Sequence, residues 1–381
     1  METLKIGFVF DDSLDKTDGV QQYVLALGSW LAGQGHEVHY LVGETRRKDL
    51  PRVHSLSRNI SVRFNGNRLS MPLPASKKAI QSLITQEAFD ILHVQVPYSP
   101  FMAGKVLSKA TPTTAVIGTF HILPNSKLAT TANRLLALWL QASLRRFDEF
   151  VSVSTAAATF AQRIYGINSK VLPNVVDYDV FHNTTALPQY SDDTPTILFL
   201  GRLVPRKGCQ TLLEAVDILV NQRGMNDLRV LVGGKGPLMA SLNQYVAEHK
   251  LKTNVNFLGY IDETDKPKLY ASADISVFPS SGGESFGIVL LEAMASGRAA
   301  VLAGNNPGYA SVLVDKPELL FEAANAEALA EKLETLLKDK VLREKQAAWG
   351  AAYVRNFDTA RVGLQLEDVY KQALRSRRNV Q

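Results

Sequence analysis

Residues 274–297 read DISVFPSSGGESFGIVLLEAMASG. Asp274 to Ser281 begins as an apolar run of strand length, the glycine-rich GGES after it reads as a loop at the carboxyl end of that strand, and Phe286 to Ser296 reads as a helix. Ile288, Val289, Leu290, Leu291, Ala293, Met294 and Ala295 leave the helix almost no polar face, so it is expected to be buried. Glu292 inside it is then a desolvated carboxylate, costly unless it meets donors. The donors are either hydroxyls of a bound sugar or ribose, or a structural Arg or Lys. A second carboxylate, Glu284, waits in the loop before the helix, beside the amides of Phe286, Gly287 and Ile288.

The same strand, loop and helix order repeats along the whole chain, the pattern of parallel α/β architecture. LKIGFVF, HEVHYLV, FDILHVQ, TAVIGTF and EFVSVS are strands, with helices such as Val20 to Gln34 and Ser76 to Gln86 between them. A turn-rich stretch, Asn183 to Pro195, breaks the rhythm and reads as a linker. TILFLGR, LRVLVGG, NVNFLGY, DISVFPS and AAVLAG form a second set, with helices at Gln210 to Gln222 and Leu238 to Lys250. At 381 residues the chain exceeds the roughly 250 to 300 that one core sustains. Two Rossmann-like domains are therefore expected, residues 1–188 and 189–358, with a terminal helix at 359–381 returning to the first. Ligands of open α/β sheets bind outside the carboxyl ends of the strands, so the two domains are expected to face each other across a central cleft.

Net charge is +5, and its distribution is uneven. Residues 45–147 carry 15 Lys and Arg against three acidic residues. Such a surface suits anionic lipid or a phosphorylated acceptor, or is simply solvated. No aromatic-interleaved basic stretch accompanies it, which argues against nucleic acid. One cysteine, Cys209, fits a reducing compartment. METLKIGFVF lacks a signal-peptide pattern and no window is apolar enough to span a bilayer. The expectation is a cytoplasmic protein, peripheral at the inner face of a membrane.

Two loops suit a phosphate. FVFDDSLDKTDGV ends at Gly19 as a helix begins, so an unhindered amide sits at the positive end of a helix dipole. In FLGRLVPRKG, Arg202, Arg206 and Lys207 gather between a strand end and Gly208, a setting that fits a diphosphate. VGGKGP contains Gly-x-Gly, but Met239 stands where a dinucleotide fingerprint needs a small residue, so a nicotinamide cofactor is not expected. No metal-ligand cluster is visible; Asp177 and Asp179 match Asp-x-Asp by letter but overlap a turn.

Glu284 and Glu292 with seven residues between them, set in GGESFGIVLLEAMASG, resemble the signature of retaining glycosyltransferase family 4, of GT-B fold. TFH (Thr119 to His121), PNVVD (Pro173 to Asp177) and GRLVPRKG extend the likeness over most of the chain. DGVQ and FNGNRL (Phe64 to Leu69) make it most similar to the phosphatidylinositol mannosyltransferase branch.

The resemblance implies a transferase that moves a hexose, mannose from GDP-mannose in this branch, to a lipid or glycan acceptor. Gly19, Arg202 and Lys207 would hold the donor diphosphate, Glu284 with the amides of Phe286, Gly287 and Ile288 the sugar, and Glu292 the ribose. His121 would face sugar and acceptor; Asn65, Arg68 and Lys127 would contact the acceptor's phosphate-bearing head group. No tightly bound cofactor is implied, although Mg2+ or a similar ion would accompany the diphosphate. Retention would proceed by same-face substitution, catalysed by stabilising the departing charge and positioning the acceptor. Asp18, Val175, Gln95 with Val96, and Asp12 depart from the family pattern, and bear more on the acceptor than on the donor. A UDP-sugar-dependent transferase, a sugar-nucleotide epimerase and a non-catalytic sugar-nucleotide-binding protein are the competing readings.

Overall fold

The computed structural model describes residues 2–15, 18–64, 67–121 and 127–378. The chain separates into two compact units, 1–175 with 359–381, and 176–358.

The first unit contains β1 (Lys5–Phe10), α1 (Gly19–Gly33), β2 (Glu37–Val42), β3 (Val53–Ser55), β4 (Asn59–Phe64), β5 (Asn67–Pro72), α2 (Lys77–Glu87), β6 (Ile91–Gln95), α3 (Met102–Leu107), β7 (Ala115–Phe120), α4 (Lys127–Leu144), β8 (Glu149–Ser152), α5 (Thr155–Phe160) and β9 (Lys170–Val171). Seven strands form a parallel sheet in the order β3-β2-β1-β6-β7-β8-β9. Strands β4 and β5 stand apart as an antiparallel hairpin. β1, β6 and β7 are buried on both faces, as central parallel strands are, and the polar His93, Gln95 and Thr119 within β6 and β7 are buried with them.

The second unit holds α6 (Tyr178–His182), β10 (Thr196–Leu200), α7 (Cys209–Asp217), β11 (Arg229–Gly233), α8 (Met239–Glu248), β12 (Val255–Gly259), α9 (Lys266–Ala271), β13 (Ile275–Phe278), α10 (Ile288–Ala295), β14 (Ala300–Gly304), α11 (Pro307–Val312), β15 (Leu320–Phe321), α12 (Ala326–Lys338) and α13 (Lys340–Val354). Its parallel sheet runs β12-β11-β10-β13-β14-β15. Both orders reverse beside the first strand of the unit, at β1/β6 and β10/β13, which is where open sheets bind ligands.

The terminal helix α14 (Thr359–Arg378) lies in the first unit. His36 Nε2 meets Glu367 Oε1 at 3.3 Å, and Gly363 abuts the Trp30 ring so closely that a Cβ would stand 2.3 Å from it.

The division between units falls earlier than the linker at 183–195 suggests, because residues of that stretch and Phe181 just before it find partners in the second unit. Leu187 N–H donates to Ser272 Oγ at 2.8 Å, Arg229 lies over the Tyr190 ring, and Phe181 packs on Tyr270. Turn-rich composition marks a loop here, and the loop's packing decides which unit owns it. Among the described residues no helix is long and apolar enough to cross a membrane.

Candidate functional site

In the second unit, β10 ends at Leu200 and β13 at Phe278, neighbours at the sheet's switch point. The loop after β10 supplies Arg206 and Lys207, and the loop after β13 supplies Ser280 and Glu284. All three donors converge on one oxygen: Glu284 Oε1 accepts from Arg206 NH1 at 2.7 Å, Lys207 Nζ at 2.8 Å and Ser280 Oγ at 2.9 Å. Burial by itself would raise the Glu284 carboxyl pKa, but Lys207 and Arg206 beside it bring it below the usual range. Glu284 is thus a fixed anion with part of its acceptor capacity still unspent.

Backbone geometry builds this cluster. Gly208 has φ +72°, and a Cβ there would sit 2.1 Å from the Pro279 carbonyl oxygen, so only glycine lets the two loops approach. Ser281 N–H then donates to Arg206 O at 2.9 Å. Gly287, which caps α10, has φ +125° and lies against Tyr309, whose ring would be 2.6 Å from an added Cβ. Phe286 is buried against Phe357, so the amides of Phe286, Gly287 and Ile288 lead directly into α10. Arg202 follows β10 in the same loop, half-buried, its carbonyl accepting from Val204 N–H. Arg206, read from the sequence as one of three candidate phosphate cations, is engaged by Glu284 here, a pairing across 78 positions that no spacing announces.

Glu292 is buried in α10 as its sequence implies, its side chain 4% exposed. Its donors belong to the protein. Tyr270 O–H donates to Oε2 at 2.9 Å and Lys266 Nζ lies 3.5 Å from Oε1. The structural alternative from the sequence is therefore realised in the free protein, from α9, which no motif flagged.

In the first unit, Gly19 opens α1 and is exposed, after an Asp18 N-cap whose side chain makes no capping bond. His121 follows β7 and is 4% exposed. Its Nε2 meets Gln95 Oε1 at 2.6 Å, and its ring stands edge-on to Tyr23 at 5.0 Å. Because an amide oxygen only accepts, Nε2 carries the proton and Nδ1 is left as an acceptor. Burial drives the His121 pKa down to about 3, so the ring is neutral in ordinary buffers. Gln95, a departure from the family pattern, is thus what orients His121. The next residue, Val96, has φ +62°, a strained conformation for a β-branched side chain.

Below this pair, His93 joins Thr119 Oγ1 at 2.6 Å and Tyr370 O–H at 2.8 Å. Arg68 lies on β5, opposite Arg63, and Lys127 opens α4. Asn65 lies outside the described residues, as do the side chains of Arg68 and Lys127. Asp177 caps α6 through Val180 N–H at 3.2 Å, a structural use of the Asp-x-Asp pair. The structure also gathers one trio with metal-ligand chemistry that spacing concealed: His39, His54 and Glu87. His39 Nδ1 and His54 Nε2 are 2.9 Å apart, a hydrogen-bond distance, and Lys5 Nζ already lies 3.1 Å from Glu87.

Comparison with known proteins settles the family. The chain is 32% identical over 99% of its length, and over 99% of the relative's, to the phosphatidyl-myo-inositol mannosyltransferase of Mycobacterium tuberculosis. It belongs to glycosyltransferase family 4. The profile described as Glycosyltransferase Family 4 matches residues 17–180 of this family 4 enzyme, and that of Glycosyl transferases group 1 matches residues 187–353. The corresponding protein of Propionibacterium freudenreichii is 31% identical, over 96% of this chain and 94% of its own. A glycosyltransferase from Rickettsia africae superposes with a TM-score of 0.76 at 20% identity, covering 97% of this chain and 99% of its own. HepE of Anabaena, solved with UDP and glucose, gives 0.74 at 19% identity, with 97% and 99% covered. These structures share the GT-B fold. The enzyme is a retaining glycosyltransferase.

Proposed function

We propose that this glycosyltransferase moves mannose from GDP-mannose to the inositol head group of a phosphatidylinositol-type lipid. The observation that carries the acceptor is the similarity to phosphatidyl-myo-inositol mannosyltransferases, which runs over 99% of the chain and so includes both units.

The donor reading draws on the Glu284 cluster. Arg202 and Lys207, with Arg206, offer cations to the departing diphosphate, joined by the amide of Gly19. Glu284 uses its remaining lone pairs for the sugar hydroxyls, beside the amides of Phe286, Gly287 and Ile288. For Glu292 to take the ribose, it must share with the hydroxyls a carboxylate already held by Tyr270 and Lys266. His121, neutral and held by Gln95, presents Nδ1 as an acceptor toward sugar and acceptor lipid, while Asn65, Arg68 and Lys127 meet the lipid phosphate. A divalent cation such as Mg2+ would travel with the donor diphosphate. Preorganised cations aimed at developing negative charge are the main source of rate here.

A panel of GDP- and UDP-sugars, assayed with and without phosphatidylinositol in vesicles, tests the reading. It requires GDP-mannose turnover that phosphatidylinositol stimulates and mannose appearing on the lipid. Preference for a UDP-sugar, or indifference to the lipid, would remove it; donor turnover with sugar inversion at a ring carbon would favour an epimerase.

A further inference from the structure

Helix α4 is apolar on two sides. Leu136, Ala137, Leu140 and Leu144 turn into the first unit, among Tyr98, Phe120, Phe160 and Tyr165. Leu135, Leu138 and Trp139 turn the other way and are 66%, 68% and 70% exposed. Their i, i+3, i+4 spacing makes one continuous stripe on the helix. A surface helix ordinarily uses one apolar stripe on its core and leaves the other side polar. Here a second stripe of bulky side chains stays in water, the kind of patch that marks a contact surface.

Its border is cationic. Arg134 and Arg145, eleven residues apart and so on one side of the helix, flank the stripe and are exposed. From residue 91 to residue 147 the sequence contains no Asp or Glu at all, so no carboxylate of that whole stretch offsets them.

We propose that the outer face of α4 docks on an anionic lipid surface. Leu135, Leu138 and Trp139 enter the boundary between head groups and acyl chains, where an indole ring is favoured, and Arg134 and Arg145 meet lipid phosphates. A second copy of the chain fits less well, because in an antiparallel symmetric pair on this face the two arginine borders would meet with no carboxylate of this stretch between them. The inference draws on the lipid-acceptor reading only for the nearness of a membrane, and its test is separate from catalysis.

The full-length protein is sedimented with phosphatidylcholine vesicles with and without phosphatidylserine, an anionic lipid that is not the proposed acceptor. Binding is expected only to the anionic vesicles, to fall as salt rises, and to weaken roughly tenfold or more in the triple variant L135S/L138S/W139S and in R134E/R145E. Trp139 emission should shift to the blue on binding, and W139F should bind without that shift. An unchanged thermal transition in the triple variant excludes misfolding. Equal binding by the folded triple variant, or none by the wild type, overturns the proposal. So does a wild-type dimer on gel filtration that the triple variant converts to monomer. Transfer to a short-chain, water-soluble phosphatidylinositol tests the acceptor independently: vesicle binding without such transfer removes the acceptor and keeps the docking face, and transfer without vesicle binding does the reverse.

Discussion

Lys207 donates from Nζ to Glu284 Oε1 across 2.8 Å, joining the loop after β10 to the loop after β13. The pair lies at the carboxyl ends of two adjacent strands, and the same ammonium is the proposed partner of the donor diphosphate. Removing one preorganised donor at such a site costs about 2.7 to 4 kcal/mol, a hundred- to a thousandfold in rate. Lys207→Ala and Arg202→Ala should each lower kcat/KM for the sugar nucleotide by that much in steady-state assays. Near-native turnover in both would falsify the donor assignment.

Glu292 is expected to matter for folding as well as for binding. Glu292→Ala strands the buried Tyr270 hydroxyl, while Lys266 keeps Glu263 at 2.8 Å, so the cost is that of one unsatisfied buried donor with a lost packing contact, about 1 to 3 kcal/mol. Urea denaturation of the apo protein should show a clear loss of stability. A variant that raises KM for the donor with unchanged stability would mean that the Tyr270 and Lys266 contacts contribute little.

The two buried imidazoles set a direction for acid sensitivity. His93 and His121 both have pKa values pushed down to about 3 by burial, His93 also by the neighbouring His121. Unfolding lets each return to about 6.5, so the unfolded chain binds more protons between those values. Their contribution is full above pH 6.5 and declines as pH falls toward 3, by about 1.4 kcal/mol per pH unit for each ring. Denaturant midpoints measured from pH 7.5 to 5 should fall, and His121→Gln should make the fall shallower. A slope unchanged in that variant contradicts a neutral, buried ring.

Gln95 gives a sharper test of the same ring. Gln95→Glu places a carboxylate where an amide oxygen now accepts from His121 Nε2–H, which favours the imidazolium and raises its pKa. The pH profile of kcat/KM should gain an inflection that the wild type lacks. Gln95→Ala instead strands a buried donor and should cost about 1 to 3 kcal/mol of stability. Identical profiles for Gln95→Glu and wild type would remove Gln95 as the residue that sets His121.

Gly208→Ala should uncouple the two loops. It combines a left-handed conformation, worth about 1 to 2 kcal/mol, with overpacking against the Pro279 carbonyl, worth about 1 to 3. A drop of roughly 2 to 5 kcal/mol in stability, with weakened donor binding, is the expected result of calorimetry and titration. Retained affinity at unchanged stability would mean the loop backbone can move aside.

The sequence by itself determined the order of strands and helices, because each is written in apolar runs whose length and period are local. It also determined the family, through Glu284, Glu292 and the glycines around them. It placed Glu284, Lys207 and Arg202 at strand ends, where parallel sheets carry their ligands. Side-chain partners were decided by the tertiary structure. Arg206 reaches Glu284 across 78 positions, Gln95 reaches His121 across 26, and Tyr270 reaches Glu292 across 22. None of these pairs has a spacing that announces it, since each depends on which strands become neighbours and how closely Gly208 and Gly287 let their loops approach. The unit boundary follows the same rule: residues 183–195 have a linker's composition, but Ser272 and Arg229 hold them in the second unit, and Tyr270 holds Phe181 just before them. Local sequence sets what a segment can become, and long-range packing sets what its polar atoms meet.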